Sequence, residues 1–223
     1  MRSIVEEAGP ITDEDLAREW HRRAERDGLA RVMRASQSRV LNTRVTALTR
    51  RLVGDYLGVV AAELGQPVRS ALEIGCGVGR LTPTLARHAG QVTAVDMTPR
   101  MLDEARASCA FLSNVEFMLA WAEQIPWRAK RFDVSVSVWT LMHVLDQDRL
   151  AKICRALATS SRYLVLIEYE HAGVAASRWC RVRSLEEYLA LLPGSRLVAR
   201  RGLDYGGDRS AAALIGFAEQ GAL

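Results

Sequence analysis

What this sequence lacks narrows it first. No apolar run approaches the roughly 20 residues that cross a bilayer, so no transmembrane helix is expected. In place of the apolar segment of a secretory signal, the first residues include Glu6, Glu7, Asp13, Glu14 and Asp15, and a cytoplasmic address is expected. Cysteine is sparse. Cys76, Cys109, Cys154 and Cys180 lie far apart and match neither CxxC nor Cys/His ligand spacing, so reduced thiols and no structural metal are expected. Lys130 and Lys152 are the only lysines, an arginine bias that fits GC-rich coding. The net charge of +4 includes the pairs Arg22-Arg23, Arg50-Arg51 and Arg200-Arg201, but no basic face with interleaved aromatics, so nucleic acid is not the expected partner. Repeats and low-complexity tracts are also missing. With 49% hydrophobic and 25% charged residues in 223, what remains is an ordinary globular chain with one sizeable core.

Two helices come first. Thr12 followed three residues later by Asp15 makes a capping box ahead of Leu16 and Trp20, predicting a helix over 12–27. Leu41, Val45, Leu48, Leu52, Tyr56, Val59 and Val60 recur at helical spacing over 38–64, and Gly65 and Pro67 end that helix. Residues 1–67 therefore read as an N-terminal helical extension, a lid or substrate cap, and 68–223 as the main domain. There the pattern alternates: strand 70–74, helix 80–88, strand 92–96, a helix with Thr98 as cap and Pro99 at its first position, strands 115–119 and 132–138, helix 146–159 and strand 163–168. Such alternation predicts an α/β fold, a doubly wound, mostly parallel sheet with helices on both faces. A linker over 171–179 and a helix over 184–192 lead to apolar runs at 196–200 and 211–217. The turn-rich stretch 202–209 between those runs is too short for a helical crossover, so a terminal antiparallel hairpin is expected.

Chemistry concentrates at one turn. Glu73-Ile74-Gly75-Cys76-Gly77-Val78-Gly79 puts three glycines between a strand and a helix, where missing Cβ atoms would let a ligand lie on backbone amides. Asp96 ends the next strand, a position from which a carboxylate accepts both hydroxyl protons of a ribose. The spacing is GxGxG with an acid two residues ahead, whereas the dinucleotide fingerprint is GxGxxG. Neither a GxSxG elbow nor a GxxxxGK[ST] loop occurs.

The runs LEIGCGVGRLTPTLA, VTAVDMTPRMLDEA, AEQIPW and FDVSVSVWTLMHV resemble the class I S-adenosylmethionine-dependent methyltransferases, over residues 68–168 and the terminal hairpin. The resemblance implies seven strands with the last antiparallel. It also implies S-adenosylmethionine as cofactor: Glu73, Gly75, Cys76 and Gly77 at its methionine end, Asp96 on the ribose, Met97 beside the adenine, and Val138 at the end of the fourth strand. Trp121-Ala122-Glu123 occupies the place where the family often has Asp-Ala-Glu, so Trp121 departs from the pattern at the adenine. Arg80 either pairs with the cofactor carboxylate or is a solvated first-turn arginine.

Open α/β sheets bind ligands beyond the carboxyl ends of their strands, which places the acceptor at Val138, Trp139, Thr140 and His143. His143 is the candidate base, or else a packing histidine. Trp20 is a candidate lid over the cofactor, with packing against the second helix as the alternative. The Trp139-to-His143 interval resembles the branch that methylates protein α-amines, and Glu168, Tyr169 and Glu170 follow the fifth strand where that branch grips its ammonium group. Two enzyme readings result, a methyltransferase for an amine or hydroxyl of a small molecule and one for a peptide or protein α-amine. A third reading, from Trp121, is a partner subunit that binds the cofactor without turnover. A nicotinamide dehydrogenase comes last. Neither a metal nor a membrane is expected to take part, and the sequence leaves the oligomeric state open.

Overall fold

The computed structural model describes residues 11–127, 132–171 and 178–218. Helix α1 (Asp13–Ala24) begins at the expected capping box: Thr12 Oγ1 accepts the Asp15 amide hydrogen and Asp15 Oδ2 accepts that of Thr12, both at 3.1 Å. Helix α2 (Arg39–Leu64) is capped by Ser38 and closed by Gly65 at φ +63°, and its stripe of Val45, Leu52, Tyr56 and Val60 is buried.

Seven strands follow: β1 (Val68–Ile74), β2 (Ala89–Asp96), β3 (Val115–Leu119), β4 (Phe132–Val138), β5 (Ser161–His171), β6 (Ser195–Tyr205) and β7 (Asp208–Phe217). They form one sheet in the order β3-β2-β1-β4-β5-β7-β6, parallel from β3 through β5 and antiparallel at β7 and β6. Helices α3 (Thr82–His88), α4 (Pro99–Ser108), α5 (Gln147–Ser160) and α6 (Leu185–Leu191) connect them. One core gathers Val53, Tyr56, Leu57 and Leu85 over Val134, Val165 and Leu214; the other gathers Leu150, Ile153, Leu157 and Tyr188 over Leu72, Leu164 and Ile215. Both faces of the sheet are thus covered, which is why β4 is buried at all seven positions. The chain leaves β1 toward β2 on one side and later returns to β4 on the other, so a crevice opens at the carboxyl ends of β1 and β4.

Several boundaries differ from the expected ones. The hairpin pairs as far as Tyr205 with Asp208, leaving only Gly206 and Gly207, at φ +63° and +92°, as its turn. Gly202 and Asp204 carry turn chemistry but lie within β6, because the ladder with β7 satisfies their backbone. Pairing with β7 also carries β5 on to His171, while Phe132 of β4 pairs with Ser161 at its start. Helix α1 stops at Ala24, and α3 begins at Thr82, which leaves Arg80 in the turn. Thr98 precedes α4 but its side chain forms no cap; the Thr98 amide donates to Asp96 Oδ1 at 2.9 Å instead. The expected linker over 171–179 lies largely outside the described residues.

Candidate active site

The turn after β1 is built from backbone and neighbours. Gly75 and Cys76 donate their amides to the Val95 carbonyl at 2.8 and 2.9 Å, and Gly75, Gly77 and Gly79 have φ of +70°, +54° and +76°. Neighbouring side chains stand close to where their Cβ atoms would be. A Cβ at Gly75 would meet the Thr140 side chain, one at Gly77 would meet Val32, and one at Gly79 would meet Cys109 and Ala105. The glycines are required by close packing and by left-handed backbone. Cys76 is buried, which pushes its thiol well above the usual range.

Three charged groups face one another here. Asp96 Oδ2 accepts the Gly77 amide hydrogen at 2.9 Å, and burial raises its carboxyl against those hydrogen bonds. Glu73 accepts from Thr82 Oγ1 at 2.6 Å, and its burial pushes its pKa up to about 7. Arg80 is 8% exposed, and its Nη1 has no hydrogen-bond partner among the described residues. The guanidinium lies 5.0 Å from the Trp139 ring centroid, and burial lowers its pKa to about 10.

These groups line a single cleft of about 1300 Å³, open mouth included, at the crevice between β1 and β4. Gly75, Cys76, Gly77, Met97, Trp121, Ala122, Glu123 and Val138 line it as well, so every residue assigned above to the cofactor falls in one place. Trp20, Trp139 and His143 line its other end. Sequence reasoning missed Asp13, Leu16, Val32 and Arg149, also in the lining, whereas Thr140, expected after the fourth strand, is there. Arg149 on α5 is ion-paired with Asp13 on α1 and with Glu123, and its guanidinium covers Trp121 at 4.9 Å. No short motif marks a pairing between elements so distant in sequence, although the α5 helix start was legible.

At that end, His143 sits in the 3₁₀ turn Leu141–His143 and is half-buried, with Nδ1 2.7 Å from the Trp179 carbonyl oxygen. Desolvation lowers its pKa to about 4. Trp20 meets the imidazole edge-on at 4.8 Å between ring centroids. Trp139 takes φ +53°, donates Nε1–H to Ser210 Oγ at 3.0 Å, and stacks on Tyr169 and Tyr205.

The remaining substrate residues are corrected. Glu168 is 2% exposed, and its carboxylate is taken up by the amides of Thr140, Leu141 and Met142. Glu170 pairs with Arg200 and accepts the Leu185 amide, while Tyr169 is stacked on Trp139. None of the three lines the cleft, and the two acids are already spent on partners that an ammonium group would have to displace. Position after the fifth strand does not fix where side chains turn.

Residues 71–161 match the family model described as "Methyltransferase domain". The chain is 35% identical over 133 residues to a demethylmenaquinone methyltransferase of Tropheryma whipplei, covering 59% of this chain and 52% of that protein. A ubiquinone biosynthesis O-methyltransferase of Coxiella burnetii is 34% identical over 90 residues, 40% of this chain and 38% of that protein. The chain thus spans about half the length, or less, of these curated relatives. Among solved structures, the N-methyltransferase NodS from Bradyrhizobium japonicum WM9 in complex with S-adenosyl-L-homocysteine superposes with a TM-score of 0.71 at 19% identity, covering 90% of this chain and 98% of that one. Magnesium protoporphyrin IX methyltransferase from Synechocystis PCC 6803 gives 0.65 at 18% identity, with 90% of each chain covered. The matched segment, the strand order β3-β2-β1-β4-β5-β7-β6 and the superposed structures agree, and the fold is that of the class I S-adenosylmethionine-dependent methyltransferases.

Proposed function

We propose that the cleft binds S-adenosylmethionine and that the protein transfers its methyl group to a hydroxyl or amine of a small molecule. The observation that carries this reading is Arg80: a buried guanidinium nitrogen without a partner, in the cleft wall beside Glu73, suits an amino-acid moiety with both charges. In this reading Arg80 takes the cofactor carboxylate, Glu73 faces its ammonium, and Asp96 takes the ribose hydroxyls with the oxygen lone pairs that Gly77 and Thr98 leave available. Trp121, Ala122 and Glu123 border the adenine, with Trp121 held flat by Arg149.

The bound sulfonium supplies an electrophilic methyl carbon. The chain's contribution is to hold an acceptor in line with it, which in favourable intramolecular cases is worth roughly 7–11 kcal/mol. Leu16 and Trp20 from α1 and Val32 narrow the acceptor end and exclude water. His143, neutral at ordinary pH, is the base for the departing proton.

A small acceptor is favoured over a peptide α-amine, since Glu168 and Glu170 are committed elsewhere. The printed names of the two curated relatives point the same way, toward quinone-type small molecules. Calorimetry with S-adenosylhomocysteine, followed by a radiolabelled methyl-transfer screen over phenols, small amines and peptides, tests the reading. Absence of cofactor binding, or transfer to peptides alone, overturns it.

A further inference from the structure

The turn that carries His143 is gripped along its whole length by groups outside the cleft. At its start, Glu168 Oε1 accepts the amide hydrogens of Thr140 and Leu141 at 2.9 and 2.8 Å, and Oε2 accepts that of Met142 at 3.4 Å. At its end, the Arg183 guanidinium donates to the Val144 carbonyl at 3.0 Å. Between them the Arg181 amide donates to the Met142 carbonyl at 2.8 Å, and Trp179 offers its carbonyl to His143 Nδ1 at 2.7 Å. A carbonyl oxygen only accepts, so Nδ1 carries the proton and Nε2 keeps a free lone pair.

This grip has no counterpart in local stability. A single 3₁₀ turn does not hold itself, and Trp139, two residues before it, sits at φ +53°, a region that a non-glycine residue keeps only under outside constraint. Glu168 and Arg183 are 2% and 1% exposed, and neither lines the cleft. Two large ionisable side chains are therefore buried to fix the backbone of one short turn, at a desolvation cost that an apolar filling would avoid.

We infer that Glu168, together with the segment 179–183, is a positioning clamp that fixes His143 as its Nδ1–H tautomer and presents Nε2 as the proton acceptor. The inference rests on the reading of His143 as the base. In the transfer step the acceptor's O–H or N–H bond breaks toward Nε2 as its heteroatom bonds the methyl carbon. The electron pair of the broken S–CH₃ bond stays on sulfur as a neutral thioether, and the imidazolium then releases its proton to water. The opposite tautomer would offer Nε2–H, a donor, to the same acceptor and block the step. Glu168 and Arg183 touch neither ligand and act through His143.

The test is Glu168→Gln, which keeps the shape but replaces one acceptor oxygen with an NH₂ that confronts an amide hydrogen. Long-range ¹H–¹⁵N correlation on protein labelled at histidine reads the tautomer without any turnover, and His143→Gln assigns the signal. The wild type should show His143 protonated at Nδ1 at pH 7. In Glu168→Gln that signature should move to the Nε2–H or mixed form, kcat should fall by about tenfold or more, and S-adenosylhomocysteine affinity should stay within about twofold. Arg183→Gln, releasing the other end, should shift the signal the same way.

An unchanged His143 spectrum in both folded variants overturns the clamp, as does a wild type protonated at Nε2. Failure of both variants to fold also overturns it, reducing the network to a structural one. If the tautomer behaves as stated while His143→Ala keeps full turnover, the base assignment has failed and the clamp has not.

Discussion

Asp96 Oδ2 accepts the Gly77 amide hydrogen at 2.9 Å, tying the end of β2 to the glycine turn after β1. The carboxylate assigned to the ribose is thus also part of the turn's framework, with Oδ1 on the Thr98 amide. Asp96→Ala should lower S-adenosylhomocysteine affinity by about tenfold or more, the loss of at least one charge-assisted hydrogen bond. It should also cost stability, roughly 1–3 kcal/mol for each amide left unsatisfied. Calorimetry and thermal melting measure both, and wild-type affinity would remove the ribose assignment.

Arg80→Met should weaken S-adenosylhomocysteine about tenfold or more while leaving 5′-methylthioadenosine, which lacks the amino-acid moiety, unaffected. The contrast follows from an Nη1 that is buried and unpartnered without the cofactor carboxylate. Equal weakening of both ligands would show that Arg80 merely shapes the turn.

Cofactor binding should release protons near neutral pH. Glu73 has its pKa pushed up to about 7 by burial, so without ligand much of it is protonated at pH 6.5. A carboxyl raised in this way adds stability that is complete below about 4.5, its ordinary value, and is lost as pH rises to about 7, its folded value. A cofactor ammonium beside it favours the ionised form and reverses that loss. Titration calorimetry in buffers of different ionisation heat should report proton release at pH 6.5 and almost none at pH 8.5; pH-independent release would disconnect Glu73 from the ammonium.

His143→Ala should lower turnover much more than cofactor binding. With a folded pKa of about 4, His143 stays neutral where an ordinary histidine is half protonated, so wild-type activity should not decline between pH 8 and 6 through this group. A steady-state profile with an acid limb near pH 6.5 that vanishes in His143→Ala would contradict the lowered pKa.

Gly79→Ala should destabilise without touching the ligand. Gly79 has φ +76° and lies against Cys109 and Ala105, and it does not line the cleft. Left-handed backbone alone costs a residue with a Cβ about 1–2 kcal/mol. A melting curve should shift down while cofactor affinity at low temperature holds; an equal loss of both would place Gly79 in the ligand's path.

Local rules made much of this protein readable in advance. The Thr12–Asp15 capping box, Gly65 as helix stop and the α/β alternation are decided by neighbouring residues and by periodicity, and the structure follows them. The glycine-turn side of the cleft was legible for the same reason: Glu73 to Arg80 is one continuous segment, and Asp96 ends the adjacent strand. The side around His143 was not. Whether Glu168 faces a ligand or the amides of Thr140, Leu141 and Met142 depends on a contact between β5 and the turn after β4, and no local signal encodes it. The Arg149 bridge to Asp13 and Glu123, and the Val32 and Thr140 side chains that fill the space over the glycines, are likewise set by long-range packing. Sequence alone therefore determined the sheet and the cofactor turn, where short-range hydrogen bonding dictates conformation. Tertiary structure decided which charges are free and which are consumed, because that is settled only when distant backbone groups compete for the same carboxylate.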